Sequence, residues 1–390
     1  MDIVKQKISQ ATGILRELNI DAWLVFVRET MMMADPVMPL VVGRHAVWQS
    51  FFIYTRKGDA IAVVGNFDRE LFIQGGRFTE VVCFTESART AIREVIARLD
   101  PATIAVNYSL DNPAADGLTH GMYLLLQDYL TGTPYAQRLV SAQELCARLR
   151  SRKAPDEINL IARAAETACD AWAEAVGSIS TGMTEKQIAA VVDDCIARRG
   201  GANSFTTIVN AGDKSAPGHG MPSDAVLTPG DMLHVDFGVR LNDYCSDLQR
   251  LVYFRKPGES ALPSELDRAF NLVYSIISET AKIARPGALG WEIDAVARKM
   301  LVEDGYPEYQ HALGHQLGRD AHDGGAIIGP RWDRYGSTTS MALEAGNAFT
   351  LELEIMLPGI GCVGLEEDVV ITEQGARLLC PRQEKLMVRN

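Results

Sequence analysis

The chain has 390 residues, 47% hydrophobic and 23% charged, which suits two or three folded domains and excludes a disordered, collagenous or fibrous protein. Fifty acidic against 38 basic side chains leave a net charge of -12, which disfavours broad attraction to nucleic acid or anionic lipid and favours small ligands or metal cations. Apolar runs such as Ala22 to Val27 fall far short of the roughly 18 residues that span a bilayer, so no membrane helix is expected.

The opening residues M-D-I-V-K-Q-K lack the basic start and apolar core of a secretory signal, which points to the cytoplasm. Seven cysteines without a C-x-x-C pair read as reduced thiols, mostly core fillers. Apolar residues recur at helical spacing from Ile3 to Leu18, and the short β-branched run Asp21 to Arg28 reads as a buried strand. Trp48 to Tyr54 and Ala60 to Gly65 flank a Lys57-Gly58-Asp59 turn and predict a hairpin. Strands at Glu80 to Phe84 and Thr103 to Tyr108 alternate with helical stretches near 88–99 and 118–130. These elements predict an α/β domain over 1–150. A charged helical stretch, Ala142 to Arg152, ends at K-A-P-D-E, where Pro155 and Asp156 open the next long helix of a second domain, 151–390.

That second part contains an internal repeat. An offset of 105 sets Gly182 on Gly287, Ile188 on Ile293, Ala190 on Ala295, Val191 on Val296 and Gly200 on Gly305. Each copy is a glycine-led turn, an amphipathic helix and a closing glycine, followed by a hairpin: Met232 to Phe254 in one half, Phe349 to Thr372 in the other. Two such halves can pack about a pseudo-twofold axis, with a ligand cleft between them.

Both hairpins oppose acids. A two-residue turn at Leu241-Asn242 sets Asp236 opposite Asp247; moving the turn to Asn242-Asp243 keeps both on one face, because side-chain direction alternates with period 2. In the second hairpin an odd loop centred on Gly359 opposes Glu352 and Glu366. Periodicity selects Glu366 over Glu367, which points among Val363, Leu365 and Val369, but leaves Glu352 and Glu354 equivalent. Directly opposed residues have Cβ atoms roughly 5 Å apart, so these acids repel unless cations lie between them. Any one of them alone would be an ordinary solvated strand residue. Oxygen-rich ligation with little sulfur suits Mn²⁺, Co²⁺, Fe²⁺ or Zn²⁺. Among the histidines, His311 and His315 are four apart without the intervening Glu of a zincin, and the glycines around His315 suggest a close backbone approach. His234 reads as supporting rather than ligating.

These residues resemble the pita-bread metallopeptidases, the family of methionine aminopeptidase, aminopeptidase P, prolidase and the metal-free creatinase. The resemblance covers nearly the whole chain. It implies an α/β amino-terminal domain like that of creatinase and prolidase, and an α+β pita-bread catalytic domain with an internal pseudo-twofold repeat. The family's five ligands match Asp236 in V-D-F-G, Asp247 in Y-C-S-D, His315 in G-H-Q-L-G, Glu352 in F-T-L-E and Glu366 in G-L-E-E-D. This match prefers Glu352 to Glu354. It also implies two divalent metal ions (Mn, Co or Zn) and a bridging water that attacks a carbonyl. Glu352 would carry the proton, while His219 in A-P-G-H-G and His322 in A-H-D bind the reacting amide.

Departures from the family pattern concern specificity. Leu353-Glu354 replaces the Pro-Gly that follows the first metal glutamate of prolidases, Gln249 replaces a threonine, and Gln316 and Asp323 replace a glycine and a glutamate. Gly364 stands where those enzymes carry an arginine associated with prolyl-peptide binding, and its loss removes a carboxylate anchor. Arg331 and Arg334 offer a substitute, against the commoner reading of solvated surface groups. The expected activity is removal of an amino-terminal residue from a short peptide, as in Xaa-Pro dipeptidases and aminopeptidases. The alternatives are hydrolysis of a non-peptide amide or amidine, and a non-catalytic scaffold. A homodimer is implied by the two-domain relatives. No phosphate-binding glycine loop and no G-x-S-x-G elbow is present.

Overall fold

A computed structural model describes residues 2–213 and 220–389. The chain divides into two compact units, Met1–Arg150 and Ser151–Asn390. The first contains α1 (Ile3–Glu17), β1 (Ala22–Val27), α2 (Met38–Val41), β2 (Ser50–Thr55), β3 (Ala60–Gly65), α3 (Arg69–Gly75), β4 (Glu80–Phe84), α4 (Ala88–Leu99), β5 (Ile104–Val106), α5 (His120–Leu130), β6 (Leu139–Ser141) and α6 (Gln143–Ser151). Its six-stranded sheet has the order β4-β3-β2-β1-β5-β6. Strands β1, β2 and β3 are antiparallel neighbours, and β4, β5 and β6 join in parallel. β1 is apolar throughout because both faces are covered: Trp23 and Val25 pack with Ile14, Leu15 and Leu149, while Leu24 and Phe26 pack with Ile92 and Leu126.

The second unit comprises α7 (Pro155–Ser178), α8 (Glu185–Arg198), β7 (Ala202–Asn203), β8 (Ile208–Ala211), β9 (Met232–Phe237), β10 (Val239–Leu241), β11 (Tyr244–Cys245), β12 (Leu248–Phe254), α9 (Ser264–Ile283), α10 (Gly290–Glu303), β13 (Ala348–Leu357), β14 (Gly361–Thr372), β15 (Gly375–Leu378) and β16 (Met387–Arg389). The internal repeat is physical. Gly182 and Gly287 lead into α8 and α10 at φ 94° and 87°, and Gly200 and Gly305 close them at 75° and 90°. These are left-handed conformations that glycine adopts without steric cost. A lone β-bridge holds the start of each copy, Thr184 with Val226 and Leu289 with Ala342.

The main sheet runs β13-β14-β12-β9-β8, with β15 beside β14 and β16 beside β12. Helix α9 buries Leu266, Phe270, Val273, Ile276 and Ile277, a stripe at helical spacing, into a core with Phe349, Leu351, Leu353 and Ile355 of β13 and Val363, Leu365 and Val369 of β14. Alternation therefore sends the even-numbered Glu352, Glu354 and Glu366 to the opposite face of the sheet.

One sequence expectation needs correction. The first hairpin turns at Asn242-Asp243, both left-handed (φ 50° and 66°), and not at Leu241-Asn242. A two-residue hairpin turn of this hand needs φ above zero at both positions, which Asn and Asp tolerate and Leu does not. Asp236 consequently stands opposite Gln249 rather than Asp247. The second hairpin has the expected register, Glu352 opposite Glu366.

Ile276 is fully buried between α9 and the sheet. Ile276→Ala is expected to lower unfolding free energy by about 2–5 kcal/mol, measured by urea denaturation of the second unit's transition; a loss below about 0.5 kcal/mol would contradict this packing.

Candidate metal centre

The polar face of β9, β12, β13 and β14 gathers acids from both halves of the repeat. The seam between the halves is the pairing of β12 with β14, where Gln249 faces Glu366. Asp236 and Asp247 come from the first half; Glu352 and Glu366 oppose one another in the second. Asp247 is fixed through its own backbone, whose N–H donates to Oδ2 of Asp368 at 3.1 Å.

His315 arrives on a loop that lies against β13 almost as another strand. Thr350 N–H donates to the His315 carbonyl at 2.9 Å, and Glu352 N–H to the Leu313 carbonyl at 2.7 Å. Gly314 permits this approach: a Cβ there would meet the Thr350 carbonyl oxygen at 2.0 Å. The imidazole Nδ1 faces the Gln316 carbonyl at 3.3 Å, which favours a proton on Nδ1 and a lone pair on Nε2.

That Nε2 stands 3.8 Å from Oδ2 of Asp247, 3.8 Å from Oε1 of Glu352 and 3.9 Å from Oε1 of Glu366. These separations are too long for hydrogen bonds. They fit donors around a shared cation, since ions bound at about 2.0–2.2 Å allow opposite donors to lie up to roughly 4.4 Å apart. Asp247, His315 and Glu366 present ligand atoms all within 4.8 Å of one another. Oδ1 of Asp236 and Oε1 of Glu366 are buried without a hydrogen-bond donor among the described residues, as expected of oxygens aimed at a cation.

The electrostatics agree. Burial, reinforced by Glu354, raises Asp236 to about 7. Burial, reinforced by Asp236 and Glu354, raises Glu352 to about 8. Asp247 and Glu366 are raised well above the usual carboxylate range by burial and then by each other and the neighbouring acids. Without cations the cluster must hold protons.

His322 packs edge-on against His315, ring centroids 4.3 Å apart, so it stands beside the cluster. Its neighbour Asp323 is tied down by a buried ion pair to Lys153 at 2.8 Å. His219 lies outside the described residues. Glu367 occupies the far face, paired with the buried Arg250 at 3.1 Å. Cys245 is a core residue whose thiol donates to the Arg319 carbonyl. Arg331 stacks on Trp291, and Arg334 on Trp332 and Tyr335.

A relay beside the acids was only partly legible in the sequence. Asn210 Nδ2 donates to Nδ1 of His234 at 3.1 Å, and His234 Nε2 donates to Oε1 of Gln249 at 3.0 Å. Gln249 Nε2 then donates to Oε2 of both Glu352 and Glu366, at 3.0 and 3.1 Å. Burial holds His234 below its usual range, so the ring is neutral and the direction of the chain is fixed. Gly364 is what leaves room: a Cβ there would meet Gln249 Oε1 at 2.7 Å and His234 Nε2 at 2.9 Å. Strand parity signals His234 and Gln249, which share the acids' face; nothing in the sequence points to Asn210.

Comparison with known proteins agrees with this architecture. Residues 159–373 match the model of metallopeptidase family M24. The chain is 33% identical over 234 residues to an uncharacterized peptidase of Staphylococcus aureus (strain bovine RF122 / ET3-1), covering 60% of this chain and 63% of that one. It is 32% identical over 245 residues to the Xaa-Pro dipeptidase of Pyrococcus furiosus, covering 61% and 66%. The chain thus spans under two thirds of the length of these curated relatives. The solved X-Pro aminopeptidase of Thermotoga maritima superposes over 98% of this chain and 99% of its own, with a TM-score of 0.75 and 25% identity. Fold and site define a two-unit pita-bread protein with an acidic, histidine-bearing centre. The chain belongs to metallopeptidase family M24.

Two outcomes test this geometry. Gln249→Leu is expected to weaken Mn²⁺ binding by about 10–100-fold, read by calorimetric titration; wild-type affinity would remove the relay from the site. The pH dependence has a definite sign. Carboxylates whose folded pKa is raised stabilise the metal-free fold at low pH, and this contribution disappears as pH rises through about 7 and 8. Metal-free protein should therefore lose thermal stability between pH 5 and 8, while the gain in Tm on adding Mn²⁺ grows over that range. A gain independent of pH would contradict the buried cluster.

Proposed function

We propose that Asp236, Asp247, His315, Glu352 and Glu366 hold two divalent cations, and that the protein hydrolyses the amino-terminal bond of a short peptide. The observation that carries this reading is one imidazole nitrogen facing three carboxylate oxygens from three residues at 3.8–3.9 Å, beside buried oxygens that have no donor among the described residues. When bound, such ions polarise a carbonyl and make water nucleophilic near neutral pH. The chain's own groups do the rest. Glu352, ionised once cations offset its acidic neighbours, would accept a proton from the attacking water and return it to the departing amine. His322, whose ring packs against His315, would donate to the oxyanion, and His219 would share in binding the amide. Gln249 holds both glutamates in orientation.

A second reading concerns the substrate. Glu354 is the cross-strand partner of Gly364, and its hydrogen-bond donor among the described residues is the Cys362 thiol. It raises Asp236 and Glu352 by its charge, so it borders the centre. Two divalent ions offset the four ligand acids and leave this carboxylate over, which complements a cationic amide or amidine rather than a carboxylate-ended dipeptide. A homodimer completes the proposal, on the resemblance to two-domain relatives. Among the described residues no helix is long and apolar enough to cross a membrane.

Mn²⁺- or Co²⁺-loaded protein should cleave members of a panel of dipeptides with and without proline, extended by cationic amides and amidines. Glu352→Gln should reduce turnover by about 10²–10⁴-fold, and Asp247→Asn should lose bound metal with its circular dichroism unchanged. Full activity in Asp247→Asn would end the metallohydrolase reading. Glu354→Gln sorts the substrates, since KM should rise for a cationic one and stay unchanged for a neutral one.

A further inference from the structure

On the face of the sheet away from the acids, two cysteines distant in sequence meet at one buried guanidinium. Cys169 lies half-buried on α7, and Cys380 follows β15 in a segment anchored by Leu379 N–H donating to the Asp368 carbonyl at 2.9 Å. Nη2 of Arg250 stands 3.8 Å from Sγ of Cys169 and 4.0 Å from Sγ of Cys380. The Pro381 carbonyl accepts from both Cys169 Sγ, at 3.6 Å, and Arg250, at 3.3 Å, so both sulfurs gather around one guanidinium nitrogen. Of the other cysteines, Cys146 donates to Asn107, Cys245 to Arg319 and Cys362 to Glu354, while Cys195 accepts from Nη2 of Arg198 at 3.0 Å without a second cysteine beside it among these contacts. No ligand set for the metal centre uses Cys169 or Cys380.

We propose that Cys169 and Cys380 form a hydroperoxide-sensitive dithiol that closes to a reversible disulfide. The geometry divides the labour between the sulfurs. Cys169 has the more accessible side chain, and interaction with the Cys380 thiol, followed by the charge of Arg250, brings its own thiol down to about 7. A substantial fraction is then thiolate at neutral pH, the nucleophilic form. Cys380, almost fully buried, is pushed up by the same interaction and by burial, so it keeps its proton.

In the first step the Cys169 thiolate attacks the peroxide. An S–O bond forms, the O–O bond breaks, and the leaving hydroxide takes a proton to become water. In the second, the Cys380 sulfur attacks the sulfenic sulfur of Cys169. The S–S bond forms, the S–O bond breaks, and the departing hydroxide leaves as water with the Cys380 proton. Two thiols are oxidised and one peroxide is reduced to two waters. A small dithiol reductant reverses the closure by exchange.

The experiment uses the full-length protein, reduced and then treated with one equivalent of hydrogen peroxide per chain, followed by thiol alkylation and non-reducing peptide mapping. The expected result is a linked pair of peptides containing Cys169 and Cys380, the loss of two hydrogens from the intact mass, and recovery with dithiothreitol. Cys380→Ser should stop at a sulfenic acid on Cys169 that a dimedone probe captures, whereas Cys169→Ser should leave Cys380 unmodified. Oxidation spread over the other cysteines without a 169–380 link would overturn the proposal, as would undiminished modification of Cys380 in Cys169→Ser. Mapping of the unmutated protein decides the matter even if a variant fails to fold, and neither metal loading nor peptidase activity enters the readout.

Discussion

Carboxylates pressed together at a largely buried site are the constraint around which the second unit is arranged. Two unit charges 4 Å apart repel by about 4 kcal/mol at an effective dielectric of 20, and here Asp236, Asp247, Glu352 and Glu366 all act on one another. What forces them together is the sheet itself. Backbone pairing sets Glu352 against Glu366, and the odd-numbered residues of the same strands are committed to the core beneath α9. Each large apolar side chain buried there contributes about 1.5–3 kcal/mol, so slipping the register to relieve the acids would sacrifice that core residue by residue. The repulsion is left for protons or cations to resolve.

Small residues make the arrangement possible. Gly314 lets the His315 loop approach β13 to within backbone hydrogen-bonding distance, which brings an imidazole over the opposed glutamates. Gly364 opens a slot that His234 and Gln249 fill, and those side chains orient two of the acids. A side chain at 364 and this relay exclude each other sterically. Departures at 249 and 364 that look separate in the sequence are therefore one structural change.

The opposite face of the same strands carries a second polar system. Arg250 donates to the Glu366 carbonyl and pairs with Glu367, so the backbone of one acid on the centre is held from behind by a buried cation. A buried pair of this kind is weak evidence for stability in itself. Its role here is positional, and it also gathers the two thiols of Cys169 and Cys380.

Much of this was legible in one dimension because it follows from periodicity and glycine. The repeat at Gly182 and Gly287, the odd loop at Gly359, the choice of Glu366 over Glu367 and the alternation of strands and helices in the first unit all depend on local geometry. Periodicity left Glu352 and Glu354 equivalent, since both sit on one face, and the preference for Glu352 came from family resemblance. The turn at Asn242-Asp243 was open because two placements preserve strand parity, and only the tolerance of Asn and Asp for left-handed backbone separates them. What tertiary structure alone decided are contacts between residues far apart in the chain: the loop that carries His315 to β13, Asn210 behind His234, and Cys169 beside Cys380. Sequence spacing carries no information about such meetings, because they are set by how whole elements pack.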